Sequence, residues 1–195
     1  MTKAEKTRQF IIEKAAPIIT RKGMAATSIT DIMEATRLAK GGIYGNFESK
    51  EEICAKAFDY LLGCMANNIA AKLDTKSTAK DKLLALLEFY KGLLTKEDYA
   101  GCPMLNFGIE ADDTNLAVKQ QVSKGITATQ NIFSGLVKQG IAAGEFKKDF
   151  DAESFAIRSF AILEGVMWVC KTQNITRPMR IVLDAIKKEI EDHCT

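Results

Sequence analysis

The chain has 195 residues, of which 47% are hydrophobic and 27% charged, with three prolines and a net charge of +2. That is enough chain for one large domain or a small one joined to a larger, and long stretches free of glycine and proline predict a mainly helical, ordered protein. No apolar run approaches the roughly 20 residues that span a bilayer, no secretory h-region opens the chain, and five dispersed cysteines without a C-x-x-C pair signal neither disulfides nor zinc. A cytoplasmic protein with no membrane partner, metal or cofactor is expected.

Charge is unevenly placed. Residues 1–50 hold nine Lys/Arg against five Asp/Glu, whereas residues 51–195 hold 18 against 20. A basic N-terminal segment on a slightly acidic body is the asymmetry of a chain that meets nucleic acid at one end.

The first element runs from Glu5 to Lys22, where Phe10, Ile11, Ala15, Ile18 and Ile19 recur at helical spacing and Gly23 stands at the C-cap position. Pro17 inside it removes one helical hydrogen bond and predicts a kink near Glu13 or a late irregularity. Ser28, followed three residues later by Asp31, is a capping box opening a second helix whose inner face is Ile29, Ile32 and Met33. That helix is predicted to end near Thr36. About three residues on begins Lys40-Gly-Gly-Ile-Tyr-Gly-Asn-Phe47, a close helix pair with helix-turn-helix spacing.

Ser49 and Glu52 form another capping-box pattern at the start of a long helix through Ile53, Ala57, Tyr60, Leu61, Cys64 and Met65 toward Leu73. A helix marked by Leu83, Leu87 and Tyr90 follows, then a connection over Thr95–Gly101. A short helix starts at Cys102-Pro103, and one long pattern runs from Asn115 to Ala143, stopped by Gly144. Two helices close the chain, the first capped by Asp151 and apolar on nearly every side, the second striped by Met179, Val182, Leu183, Ile186 and Ile190.

Three readings compete for residues 40–47. A phosphate-cradling P-loop needs G-x-x-x-x-G-K-[ST] after a strand, and neither is present. A flexible loop explains the glycines but not Ile43 and Phe47, four apart and on one helical face. A recognition helix in the DNA major groove uses every residue: Gly41, Gly42 and Gly45 allow close approach, Lys40 neutralises a phosphate, Tyr44 reaches a phosphate or base edge, and Asn46 suits adenine. Ser28, Thr30 and Lys50, at the starts of the flanking helices, are further backbone clamps.

The run from Thr27 to Ile53, T-S-I-T-D-I-M-E-A-T-R-L-A-K-G-G-I-Y-G-N-F-E-S-K-E-E-I, resembles the DNA-binding domain of TetR/AcrR-type repressors. Arg8, Ile11, Ala15 and Gly23 also match that pattern, and the resemblance covers about the first 60 residues. Two positions depart from it. Arg37 stands where the family usually places a turn glycine, and Gly45 where it often has a bulky side chain. The resemblance implies an all-α chain of about nine helices. A helix-turn-helix domain (residues 1–50, motif about 28–47) would join a larger ligand-binding and dimerisation domain (residues 51–195), with a homodimer formed through the last two helices (about 151–193). It further implies binding to a pseudo-palindromic double-stranded operator, released when a small-molecule effector enters the larger domain.

Candidate effector contacts are Phe89, Met104, Phe107, Phe133 and Trp168, with Asn106 or Glu110 as polar anchors. Cys102 is the candidate for an alternative sensing mode through an electrophile- or oxidant-reactive thiol, with Lys96 near it in sequence. The other function classes fare less well. His193, the single histidine, is expected to be solvated at a frayed end and assembles no catalytic triad or metal site, and a helical enzyme or partner-binding module leaves residues 40–47 unexplained.

Overall fold

The computed structural model describes residues 1–95 and 99–195; the expected connection over 95–101 therefore has Lys96, Glu97 and Asp98 outside the described residues. Among the described residues the chain forms nine helices: α1 (Lys3–Lys22), α2 (Ile29–Thr36), α3 (Lys40–Tyr44), α4 (Lys50–Leu73), α5 (Ala79–Leu93), α6 (Pro103–Ala111), α7 (Leu116–Ala142), α8 (Ala152–Gln173) and α9 (Arg177–Asp192). They divide into two compact units, Met1–Met65 with Ala100–Gly125, and Ala66–Tyr99 with Ile126–Thr195. The functional division expected at residue 50 is thus not the packing division: the first turns of α4, all of α6 and the start of α7 belong with α1 to α3.

In the first unit, α1 runs through Pro17 without interruption. Thr2 and Glu5 form a capping box that the sequence reading overlooked, and Gly23, at φ +88°, closes the helix by donating its N–H to the Ile19 carbonyl. Ile11, Ala15, Ala16 and Ile19 are buried against a core that includes Ile32, Ile43, Phe47, Ile53 and Phe58. The inner face of α2 is narrower than expected, with Ile32 fully buried but Ile29 and Met33 only half-buried. Phe58 and Phe107 meet at a ring separation of 5.1 Å, holding α6 to α4.

In the second unit, Tyr90, Phe133 and Phe155 are buried in sequence, with ring centroids 6.3 Å apart at each step. The segment Gly144-Glu145-Phe146 has three separate duties. Gly144 turns the chain at φ +76°. The Glu145 carboxylate accepts the N–H groups of Ala79 (3.1 Å) and Lys80 (3.0 Å), capping α5 from a distant segment. Phe146 lies over Gly140 so closely that a Cβ there would sit 2.2 Å from the ring.

One expectation for this unit is overturned. His193 is not solvated at a frayed end: its ring stacks on Phe150 at 4.1 Å and its Nδ1 lies 2.8 Å from the Glu189 carbonyl. The end itself is tied down, with Thr195 N–H donating to the Glu145 carbonyl and Lys147 N–H to that of His193. Trp168 is 58% exposed. It belongs to an outward stripe on α8 with Ile157, Ile162 and Gly165, and Ile181 of α9 is equally exposed. A row of large apolar side chains turned to solvent is what a partner helix covers.

Candidate DNA-reading surface

Helix α3 is short and weakly specified. Its N-cap is Ala39, which makes no side-chain cap, and Gly45 ends it in ordinary right-handed geometry. Five residues with two internal glycines do not hold a helix on their own, so tertiary contacts must do so. Ile43 and Phe47, at most 2% exposed, anchor the inner face. The outer face carries Lys40, Gly41 and Tyr44, all exposed, and the Lys40 ammonium sits 5.9 Å from the centre of the Tyr44 ring.

The glycines are not required by the fold at two positions. A Cβ on Gly41 would meet nothing within 4 Å, and on Gly42 only Leu38 at an ordinary 3.5 Å. Neither has a positive φ. Neither packing nor backbone conformation requires glycine at 41 or 42, and Gly41 is exposed on the outer face. A Cβ at Gly45 would lie 3.0 Å from the Gly41 carbonyl, a tighter fit.

Arg8 of α1 secures the far end of α3. One guanidinium nitrogen donates to the Asn46 carbonyl, the other to Glu52 Oε1 at 2.6 Å, and the group lies 4.3 Å over the Phe47 ring. Glu52 Oε2 accepts the Glu48 N–H at 2.7 Å, while Ser49 Oγ accepts the Glu52 N–H at 3.1 Å. The expected box is thus split, because the carboxylate reaches one residue further back than Ser49. The Arg8 hydrogen bond, then the Glu48 N–H, hold the Glu52 carboxyl below its ordinary range.

At α2 the capping box is complete, Ser28 Oγ accepting the Asp31 N–H and Asp31 accepting the Ser28 N–H. Lys22, 2.6 Å from Asp31, and then Ser28 lower the Asp31 pKa to about 2. Thr30 is exposed in the first turn of α2. The α2–α3 turn places Arg37 at φ 58°, ψ 25°, left-handed backbone that glycine adopts without penalty and arginine does not.

Several expected contacts are spent inside the chain. Lys50 does not offer a free ammonium to phosphate: its Nζ donates to the carbonyls of Met24 (3.0 Å), Ala25 (3.3 Å) and Thr27 (3.1 Å), which uses all three N–H bonds. Asn46 is half-buried and its amide donates to the Gly42 carbonyl at 2.8 Å. Ser28 Oγ is occupied by Asp31.

The chain matches two family descriptions, "Bacterial regulatory proteins, tetR family" over residues 11–57 and "Tetracyclin repressor-like, C-terminal domain" over residues 79–186. A crystal structure of a TetR family transcriptional regulator from Cytophaga hutchinsonii is similar over 100% of this chain and 98% of its own, at 36% identity and a TM-score of 0.93. The chain belongs to the TetR family of transcriptional regulators. The fatty acid metabolism regulator protein of Bacillus subtilis is 25% identical over 84% of each chain. The TetR family regulator CifR, solved as a cysteine mutant with 26 bp double-strand operator DNA, shares the fold over 92% of this chain and 94% of its own, at 20% identity and a TM-score of 0.80. Membership of this family makes the chain a transcriptional regulator.

For the family's regulatory half, the expected effector contacts separate. Met104, Asn106, Phe107 and Glu110 lie in the first unit, Phe89, Phe133 and Trp168 in the second. Met104, Phe107 and Phe133 are at most 2% exposed and fill core, and Phe89 stands edge-on to Tyr90. Asn106 donates to the carbonyls of Thr20 (3.3 Å) and Ala100 (3.1 Å). Glu110 accepts the Ala25 N–H at 3.0 Å, and its carboxylate fills the space a Gly23 Cβ would need. Asn106 thus ties α6 to the last turn of α1 and to Ala100, and Glu110 holds the α1–α2 turn. Cys102 is buried at the N-cap of α6, without the access a thiol sensor needs. Sequence reasoning missed Arg8 as a clamp; the signal was available in a cation in the first helix of a chain with Ser-x-x-Glu at residues 49–52.

Proposed function

We propose that this chain represses transcription by presenting the outer face of α3 to the major groove, with Lys40 on a phosphate, Tyr44 on a phosphate or base edge, and Gly41 and Gly42 giving backbone access. The observation that carries this is the pairing of an anchored inner face, Ile43 and Phe47, with an outer face bare at residues 41 and 42 for no reason of packing or backbone conformation. Thr30 and the free N–H groups opening α2 add a backbone contact, and Gly45 lets the end of α3 approach. Lys50 and Glu110 act from within, gripping opposite groups of the Met24–Thr27 turn.

The stripe on α8 with Ile181 of α9 is the face that pairs two copies, so that two α3 helices meet the half-sites of a pseudo-palindrome. A small molecule lowers operator affinity by binding the relaxed shape better than the DNA-competent one, with coupling of about 1–3 kcal/mol typical of such switches. Residues 51–195 carry that regulation and residues 1–50 the DNA contacts. The protein works in the cytoplasm, where its operator is, and catalyses no reaction. Among the described residues no helix is long and apolar enough to cross a membrane.

The test is operator titration by gel shift with Tyr44→Ala and Lys40→Ala. Both should bind operator at least tenfold more weakly while retaining the parent's helical content and dimer mass. Lys40→Ala should also flatten the salt dependence by about one unit of slope for each phosphate it leaves unneutralised. Unchanged operator binding by both variants refutes the assignment of α3.

A further inference from the structure

The basic residues of the first unit divide into those the fold consumes and those it does not. Arg8 holds the Asn46 carbonyl and Glu52, Lys22 pairs with Asp31, and Lys50 is taken up by three carbonyls. Arg37, in the turn between α2 and α3, is exposed, and its guanidinium enters no hydrogen bond or ion pair among the described residues. Glu34 lies about one turn back on α2 and is also exposed, yet the two do not pair.

Keeping an arginine here is costly. The residue is held at φ 58°, ψ 25°, where its Cβ crowds the following carbonyl and a glycine would not. Both sides of the turn are pinned. The buried Thr36 hydroxyl donates to the Ile32 carbonyl at 2.7 Å and accepts the Leu38 N–H at 3.3 Å. Leu38 in turn lies so close to Gly42 that a Cβ added there would be 3.5 Å from its own. A side chain that gives the fold no polar contact, fixed on backbone that disfavours it, points to a role outside the chain.

Position and charge identify the outside partner. Lys40, at the start of α3 and on its exposed outer face, follows three residues later, at most about 11 Å along the chain. A duplex strand carries one phosphate per roughly 3.4 Å of its axis, so a cation beside Lys40 has a phosphate of its own to meet. The planar guanidinium can grip two phosphate oxygens at once, which an ammonium cannot.

We infer that Arg37 is a further phosphate clamp of the DNA-reading surface, retained on strained backbone because it binds the operator strand beside the start of α3. It fixes the register of α3 in the groove and reads no base. The inference rests on the proposed docking of α3 in the major groove.

The experiment is gel-shift titration over a range of salt, on a duplex that the parent protein has selected from random DNA, with urea unfolding of the same variants. Arg37→Gln should bind at least fivefold more weakly at low salt, with a salt slope smaller by about one unit. The loss should be equal on the selected duplex and on duplexes carrying single base changes. Arg37→Lys should keep the parent's slope. Arg37→Gly should resist urea better than the parent and yet bind at least fivefold more weakly, the two changes running in opposite directions. Lys188→Gln, which removes an exposed charge from α9 in the second unit, should change affinity less than twofold. Parent-like affinity and slope in Arg37→Gln, with Tyr44→Ala weakened, overturns the Arg37 contact and leaves α3 standing. A lower urea midpoint in Arg37→Gln with the slope unchanged overturns it too, since the cation would then serve only the C-terminal end of α2. A loss confined to particular base pairs overturns the phosphate assignment. If the parent selects no duplex, or Tyr44→Ala and Lys40→Ala both bind as the parent does, the docking of α3 fails and the Arg37 contact falls with it.

Discussion

Replacing Arg8 by alanine should cost about 2 kcal/mol of stability and loosen the end of α3. A hydrogen bond to a charged group contributes roughly 1.5–3 kcal/mol when buried, an exposed ion pair about 0–1, and a cation over an aromatic ring about 0.5–1. Arg8 and Glu52 are 36% and 29% exposed, which places their pair between the first two limits. The bond to the Asn46 carbonyl and the stacking on Phe47 add separate terms. For a chain of this size about 2 kcal/mol lowers Tm by roughly 4–8 °C. Urea unfolding followed by circular dichroism should show it, and a cycle of Arg8→Ala with Glu52→Gln should give a coupling near 1 kcal/mol. Glu52→Gln alone should cost less than Arg8→Ala, since it leaves the Asn46 and Phe47 contacts in place. Operator affinity should fall with Arg8→Ala even where the protein remains fully folded. A loss under about 0.5 kcal/mol, or a coupling indistinguishable from zero, would refute the clamp.

Gly42→Leu should weaken operator binding at least tenfold while raising intrinsic helix preference by up to about 1 kcal/mol, and parent-like affinity in a gel shift would show that the glycine is not there for access. Arg37→Gly relieves a left-handed arginine worth about 1–2 kcal/mol and adds about 0.5–1 of unfolded-chain entropy, so a net gain near 0.5–1 kcal/mol in urea unfolding is expected. Gly140→Ala should instead lose about 1–3 kcal/mol despite alanine's better helix propensity, because its Cβ would sit 2.2 Å from Phe146. Trp168→Glu should shift the mass measured by light scattering from dimer toward monomer. Acid should loosen the first unit: Asp31 falls from 3.8 to about 2 on folding, so the stability it lends is present above pH 4 and is lost as pH drops toward 2. Glu52, also lowered, acts in the same direction, and Asp31→Asn should flatten the acid limb of a stability profile.

Helix boundaries were legible because their signals are local. Ser28 with Asp31 and Asp151 before α8 satisfy nearby orphan N–H groups, and Pro103 in a first turn brings no N–H that needs a partner. The role of α3 was legible for a related reason, since Ile43 and Phe47 fix which face is inward and leave Tyr44 outward. Polar side chains beyond that were not, and the reason is physical. A lysine or glutamate at a helix start reads as free until the carbonyls and N–H groups near it in space are known, and those come from other segments. Lys50 finds three carbonyls and Glu110 finds the Ala25 N–H in one turn whose backbone would otherwise lack partners. Such a turn must be satisfied by something, and the long side chains of α4 and α6 are in reach. The outward reading of Trp168 was hidden for the converse reason: a helix apolar on nearly every side gives no periodic clue to which face a second chain covers. Reading polar groups as ligand contacts therefore fails first where backbone goes unpaired.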